Sequence, residues 1–309
     1  MKRLLLISLL TLMAACKQES ATPPVGTDTG SQARPIVVAS NYPLYFFARE
    51  IAAGSVDVVL PDIAGDPAMW RPKADDIELL QGADRILLNG AGYESWLNWI
   101  SLPAGRLVDT SESFHERLIP LVEETTHQHG PAGEHSHTGT AFSVWLDPEL
   151  AIAQARNIQA VISELAPGER ARHQENLASL QKRLEEIDQA QQLAFRQLAD
   201  HPILFSHPVY QYLERRYHLT GFSMHWEPDQ EPGGKAWIDF TNTLQENPAQ
   251  IMIWEGEPLS TTRERLESMG LTVIPYLTAS NRPDNGDYFD VMAMNLEQLK
   301  ADRNRDFEL

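Results

Sequence analysis

Ile203-Leu204-Phe205-Ser206-His207-Pro208-Val209-Tyr210-Gln211-Tyr212-Leu213-Glu214-Arg215-Arg216-Tyr217 decides the fold. Its first residues are apolar without alternation, the mark of a strand buried on both faces of a parallel sheet. Residues 209–217 then read as helical, as a parallel crossover requires. The alternation continues downstream: 220–223 extended, 235–246 helical, 251–254 extended, 260–269 helical, 272–275 extended and 288–300 helical. Upstream it begins abruptly at Pro35-Ile36-Val37-Val38-Ala39. There 45–53 read as helical, 56–60 extended, 73–81 helical, 85–89 extended, 94–100 helical and 106–109 extended. The chain is therefore expected to be α/β, with two parallel-sheet lobes at 35–146 and 201–309.

Between the lobes, 147–200 is expected to form a long linking helix. Leu177, Leu180, Leu184, Ile187, Gln191, Ala194 and Leu198 recur at steps of three and four, one apolar stripe. Pro167-Gly168 interrupts the pattern, so a break or kink is expected there. A stiff helical connection of this kind restricts large closure of one lobe on the other.

The N-terminus carries Lys2-Arg3, an apolar run over 4–13, and Ala14-Ala15-Cys16. This reads as a secretory signal at 1–15, too short to span a bilayer as a mature helix. Leu-Met-Ala-Ala-Cys resembles a bacterial lipobox, which makes Cys16 the expected lipidation site. Residues 16–34, rich in Ser, Thr, Pro, Gly and Gln, read as a lipid-anchored flexible tether. The body is then expected outside the cytoplasmic membrane, in the bacterial periplasm or at the cell surface. Cys16 is the only cysteine of 309 residues, so no intrachain disulfide is possible. The net charge of −18 repels nucleic acid and anionic head groups, which excludes nucleic acid as a partner.

Ligands of open α/β sheets bind beyond the carboxyl ends of the strands. In the second lobe those ends carry His207, then His225 and Glu227, then Glu255. In the first they carry Asn41-Tyr42, Asp62 and Asn89, polar but mostly poor donors for zinc. Imidazole with carboxylate and no thiolate suits zinc and its divalent neighbours. Taken singly, His207 before Pro208 also fits a helix cap, and Glu255 a cap or a surface ion pair. A second signal lies in the loop 115–140, where His127, His129, His135 and His137 fall in a Gly/Pro-rich run after Glu123-Glu124. Two His-x-His pairs in so short a segment are a metal-sequestering composition suited to collection or delivery.

Taken together, the chain resembles the zinc/manganese class of ABC-transporter solute-binding proteins, the TroA-like (cluster A-I) receptors. The resemblance rests on Val38-Ala39-Ser40-Asn41-Tyr42-Pro43, on Gly65-Asp66-Pro67 with Trp70 and Pro72, and on Ala83-Asp84 with Asn89-Gly90-Ala91-Gly92. It continues through Trp145-Leu146-Asp147-Pro148, His207 with Tyr212-Leu213-Glu214-Arg215-Arg216-Tyr217, and Glu255. It implies a monomeric metal receptor that docks on an ABC permease served by a cytoplasmic ATPase. The ligand set departs from the family pattern. A first histidine is usual where this chain has Ala68, a second where it has Ser143, and a final acid near Pro275-Tyr276, while His207 matches the third. Either ligation has moved to His207, His225, Glu227 and Glu255, with a histidine of the loop folding inward to replace what Ala68 and Ser143 cannot supply, or the scaffold binds something other than a buried metal. Retention of the histidine loop favours the first. A periplasmic metallochaperone, or a zinc hydrolase with Glu227 as base, stands as the alternative; no His-Glu-x-x-His spacing supports the latter.

Overall fold

In the first lobe four parallel strands, β1 (Ile36–Ala39), β2 (Asp57–Val59), β3 (Arg85–Leu88) and β4 (Leu107–Asp109), lie in the order β2-β1-β3-β4. The computed structural model describes residues 33–128, 134–196, 198 and 201–301. The expected signal segment, most of the tether, Cys16 and His129 lie outside that range. Helices α1 (Tyr42–Ala52) and α2 (Ala74–Gly82) serve the sheet. α1 begins three residues earlier than periodicity suggests, because the Asn41 side chain caps it by accepting from the Leu44 N–H. The helix expected over 94–100 is only one 3-10 turn, Ser95–Asn98. Glu94 before it is drawn back over the β3 end, where its carboxylate accepts from the Asn89 and Gly90 N–H groups.

Residues 120–140, expected as a loop, form an antiparallel hairpin of β5 (Pro120–Gln128) and β6 (Glu134–Thr140). Its register sets His127 opposite His135 and Thr125 opposite His137.

The helical stretch is two helices rather than one rod. α3 (Pro148–Leu165) and α4 (Arg170–Phe195) are separated by a 3-10 turn at Pro167–Glu169. Pro167 cannot donate the next helical hydrogen bond, and the chain reverses there. Arg156 on Gln181, and Ser163 on His173, mark an antiparallel pair. α4 is the piece that reaches both lobes. Near its start Asn176 donates to the Ile51 carbonyl of α1; near its end Gln191 donates to the Tyr276 hydroxyl. Its 26 residues span about 39 Å.

The second lobe repeats the first. Strands β7 (Pro202–Phe205), β8 (Thr220–Ser223), β9 (Ile251–Trp254) and β10 (Thr272–Pro275) are parallel in the order β10-β9-β7-β8. They are served by α5 (Gln211–Tyr217), α6 (Gly234–Glu246), α7 (Ser260–Ser268) and α8 (Tyr288–Ala301). Counted within its own lobe, each sheet has strand order 2-1-3-4, so the winding reverses between β1 and β3 and again between β7 and β9. The lobes share one apolar core: Phe46 and Phe47 of α1 lie 5.8 and 5.2 Å from the Tyr288 ring of α8.

Candidate metal centre

Where winding reverses, the loops after the two central strands part and leave a crevice. In the second lobe these are the loops after β7 and β9, and they carry His207 and Glu255. Both line a cavity of about 470 Å³ between the lobes, joined by Glu227 and Asp229 of the second lobe and Asp66 of the first.

His207 is 7% exposed, and its Nδ1 stands 3.3 Å from the Trp226 carbonyl oxygen. A carbonyl only accepts, so Nδ1 carries the proton and Nε2 the lone pair, the tautomer a metal ligand needs. Glu255 is fixed on the neighbouring strand end. Its N–H donates to the Ser206 hydroxyl at 2.9 Å, and the Thr278 hydroxyl donates to Oε1 at 3.4 Å. Burial, then the charges of Asp66 and Glu227, push the Glu255 carboxyl up to about 8, against the pull of Thr278. A carboxyl so placed is largely neutral at pH 7, and a dication arriving beside it displaces the proton.

His225 is exposed and is not part of the cavity wall. Neighbouring side chains of an extended segment point opposite ways. Trp226 takes the inward direction, 4.8 Å from the Trp237 ring and 5.0 Å from Phe240. Glu227 comes back to the cavity. Asp66 escaped the strand-end filter because it follows β2 at a distance, in a turn. Its Oδ1 accepts from the Ala68 N–H at 2.9 Å, and the residue also faces the cavity. The signal was there in Gly65-Asp66-Pro67. Ser143 lines the cavity as well. Among the described residues no three His, Cys, Asp or Glu side chains stand close enough to hold one ion.

The first lobe's strand ends do other work. Asn41 and Asn89 are buried and bonded to each other at 3.4 Å, and Asn89 also donates to the Phe142 carbonyl. Asp62 is exposed and off the cavity wall. The histidine hairpin stands beside the site, since Leu121 and Ala141 at its base form part of the wall. His127, His135 and His137 lie on its paired strands, with His129 outside the described residues.

A family model described as ZnuA, zinc-uptake complex component A, periplasmic, matches residues 37–302. The high-affinity zinc uptake system protein ZnuA of Bacillus subtilis is 26% identical over 315 residues, covering 94% of this chain and 93% of the relative. Zinc-binding lipoprotein AdcA of Streptococcus pneumoniae is 24% identical over 283 residues, covering 85% of this chain and 55% of the relative. The chain thus spans little more than half the length of AdcA. Among solved structures, the metal-dependent lipoprotein YcdH of Bacillus subtilis superposes with a TM-score of 0.72 at 24% identity, over 87% of this chain and 99% of that one. Zn(II)-bound AdcA of Streptococcus pneumoniae gives 0.70 at 21%, over 87% and 57%. Both likenesses carry the two-lobed fold.

Proposed function

We propose a receptor role from the premise that this chain belongs to the ZnuA family, zinc-uptake complex component A. The protein captures a divalent transition metal, zinc foremost, outside the cytoplasm and delivers it to an ABC-type importer. It is a binding protein and not an enzyme, so the hydrolase alternative falls with the family assignment. Cys16 anchors it to the membrane as a lipoprotein, a reading supported by the lipobox-like run and by the lipoprotein names among its relatives. Among the described residues no helix is long and apolar enough to cross a membrane.

One observation carries the site: His207 and Glu255 stand together at the winding reversal of the second lobe, on a shared cavity wall. In this reading His207 Nε2 and the Glu255 carboxylate are the anchoring donors, and Glu227 and Asp66 close the site from either side. The histidine hairpin, with His127 paired to His135, collects metal at the mouth. His225, being exposed, belongs with collection rather than the buried set.

Isothermal titration with zinc tests this. His207→Ala should weaken affinity about 100-fold or more, the upper range for losing even an outer partner of a ligand. Deletion of 122–138 should leave the equilibrium affinity within a few-fold and slow loading from dilute zinc. Unchanged affinity in His207→Ala sinks the assignment.

A further inference from the structure

We propose, resting on the receptor reading above and its assignment of Asp66 to the metal, that Asn281 is a positioning residue of the site. It reaches across from the second lobe and holds the turn that carries Asp66. Asn281 is not part of the metal cavity's wall. It lines the neighbouring cavity of about 520 Å³, which shares Glu255, Thr278 and Ser280 with the first. From there its Nδ2 donates to the Ile63 carbonyl at 2.7 Å and to the Gly65 carbonyl at 3.1 Å, three residues and one residue before Asp66. The direction of the amide follows from its other end. Oδ1 accepts from the Arg282 N–H at 2.7 Å, so both hydrogens of Nδ2 are left for the first lobe, one for each carbonyl.

The turn is of a kind that depends on such a partner. Residues 61–66 lie in neither helix nor strand, so no ladder fixes their carbonyls. Gly65 sits at φ +76°, a left-handed conformation that glycine adopts without penalty and leaves as easily. The segment that delivers Asn281, by contrast, is tied to both lobes. The Tyr276 carbonyl accepts from the Tyr210 hydroxyl at 2.6 Å, and Asn295 bonds both the N–H and the carbonyl of Leu277, at 2.9 and 2.8 Å. From the first lobe, Trp145 Nε1 donates to the Thr278 carbonyl at 2.7 Å and the Tyr42 N–H to the Ser280 carbonyl at 3.1 Å. Between them Ala279 holds φ +55°, a value an alanine keeps only where its surroundings over-determine it. A fixed segment thus presents a two-pronged donor to a yielding turn, and the Asp66 wall is set relative to the Glu255 wall. Metal sites need that support, because a donor held loosely binds weakly.

Stopped-flow release of zinc into excess EDTA, beside equilibrium titration with zinc, tests this on the whole protein. Asn281→Ala should release zinc about tenfold faster, the lower range for losing an outer partner of a metal ligand, with the loading rate changed by no more than a few-fold. Asn281→Asp keeps the side-chain volume, serves should Asn281→Ala fail to fold, and separates position from charge. A carboxylate oxygen set against two carbonyls repels them, so release should quicken here too; a residue acting through charge alone would slow it. In an Asp66→Asn background neither substitution should add a further loss, since both act through the same donor. Wild-type release rates in both Asn281 variants, slower release in Asn281→Asp, or losses that add in full to that of Asp66→Asn overturn the proposal. Wild-type zinc affinity in Asp66→Asn overturns it as well, because the turn then carries no donor, and leaves the receptor role standing. A wild-type protein that binds no zinc overturns both readings together.

Discussion

Glu94 is a carboxyl removed from water whose partners all favour its charged form, and burial still wins. The Ser40 hydroxyl and the Asn89 N–H each donate to it at 2.6 Å, and the Gly90 N–H at 3.2 Å. Even so, desolvation lifts it to about 7. Its folded value thus lies above the unfolded one near 4.5, so between those values the folded chain holds a proton that the unfolded chain has lost. Stability contributed by that proton is present below pH 4.5 and is lost as the pH rises toward 7, by on the order of 2–3 kcal/mol. Glu94→Gln keeps the acceptor oxygen and removes the titration. Urea midpoints at pH 5.5 and 8 should fall more steeply for the wild type than for the variant; parallel slopes contradict the assignment. At this scale the sequence was partly readable. His207 and Glu255 could be found because each directly follows an apolar run, and position along a strand is local information. Asp66 and Asp229 could not be ranked by strand ends. Their approach to the cavity depends on how the first lobe's turns sit against the second, a tertiary matter. Trp226 shows the converse: its apolar bulk dictates which neighbour faces out, and it turned His225 away from the site.

Elements came through from periodicity alone wherever burial is two-sided, as in β1, β3, β7 and β9, which are buried throughout except at the first residue of β1, β3 and β7. The same reasoning failed for the histidine segment, where polar composition reads as loop although the backbone pairs as β5 and β6. Pairing there is anchored from outside. The Tyr212 hydroxyl of α5 accepts from the Ile119 N–H at 3.2 Å and donates to the Ala141 carbonyl at 2.9 Å, bridging the two chain ends where the hairpin starts. α5 follows His207 by four residues, so one helix stands next to both the proposed metal donor and the base of the hairpin. Tyr212→Phe leaves the ring in place and removes both bonds. Amide hydrogen exchange at Ile119 should accelerate roughly tenfold, with a stability loss of about 1 kcal/mol. Unaltered protection at Ile119 would mean the hairpin base holds without Tyr212.

Across the whole molecule, the lobes meet through an ion network as well as a shared core. Arg216 of α5 places Nε and Nη2 on the two carboxylate oxygens of Asp188 in α4, and Nη1 on Glu149 of α3 at 2.7 Å. Buried Asp147, at the exit of the first lobe, has Arg117, Arg215 and Arg216 all within 4 Å. Surface pairs contribute little, but this guanidinium is less than a third exposed and answers two carboxylates on two helices at once. The geometry needs a planar fork; a lysine ammonium keeps the charge and cannot span both partners. Arg216→Lys should therefore destabilise the protein by about 1–3 kcal/mol at low salt. In calorimetry that is a drop of several degrees in Tm for a chain of this size. Added salt should narrow the gap only in part, because the pair is half-buried and poorly screened. Zinc affinity should change by no more than a few-fold, since the proposed metal donors hang from β7 and β9, strands this network does not touch. Equal Tm values for wild type and Arg216→Lys at low ionic strength would show that the shared aromatic core around Tyr288 holds the lobes together without the fork.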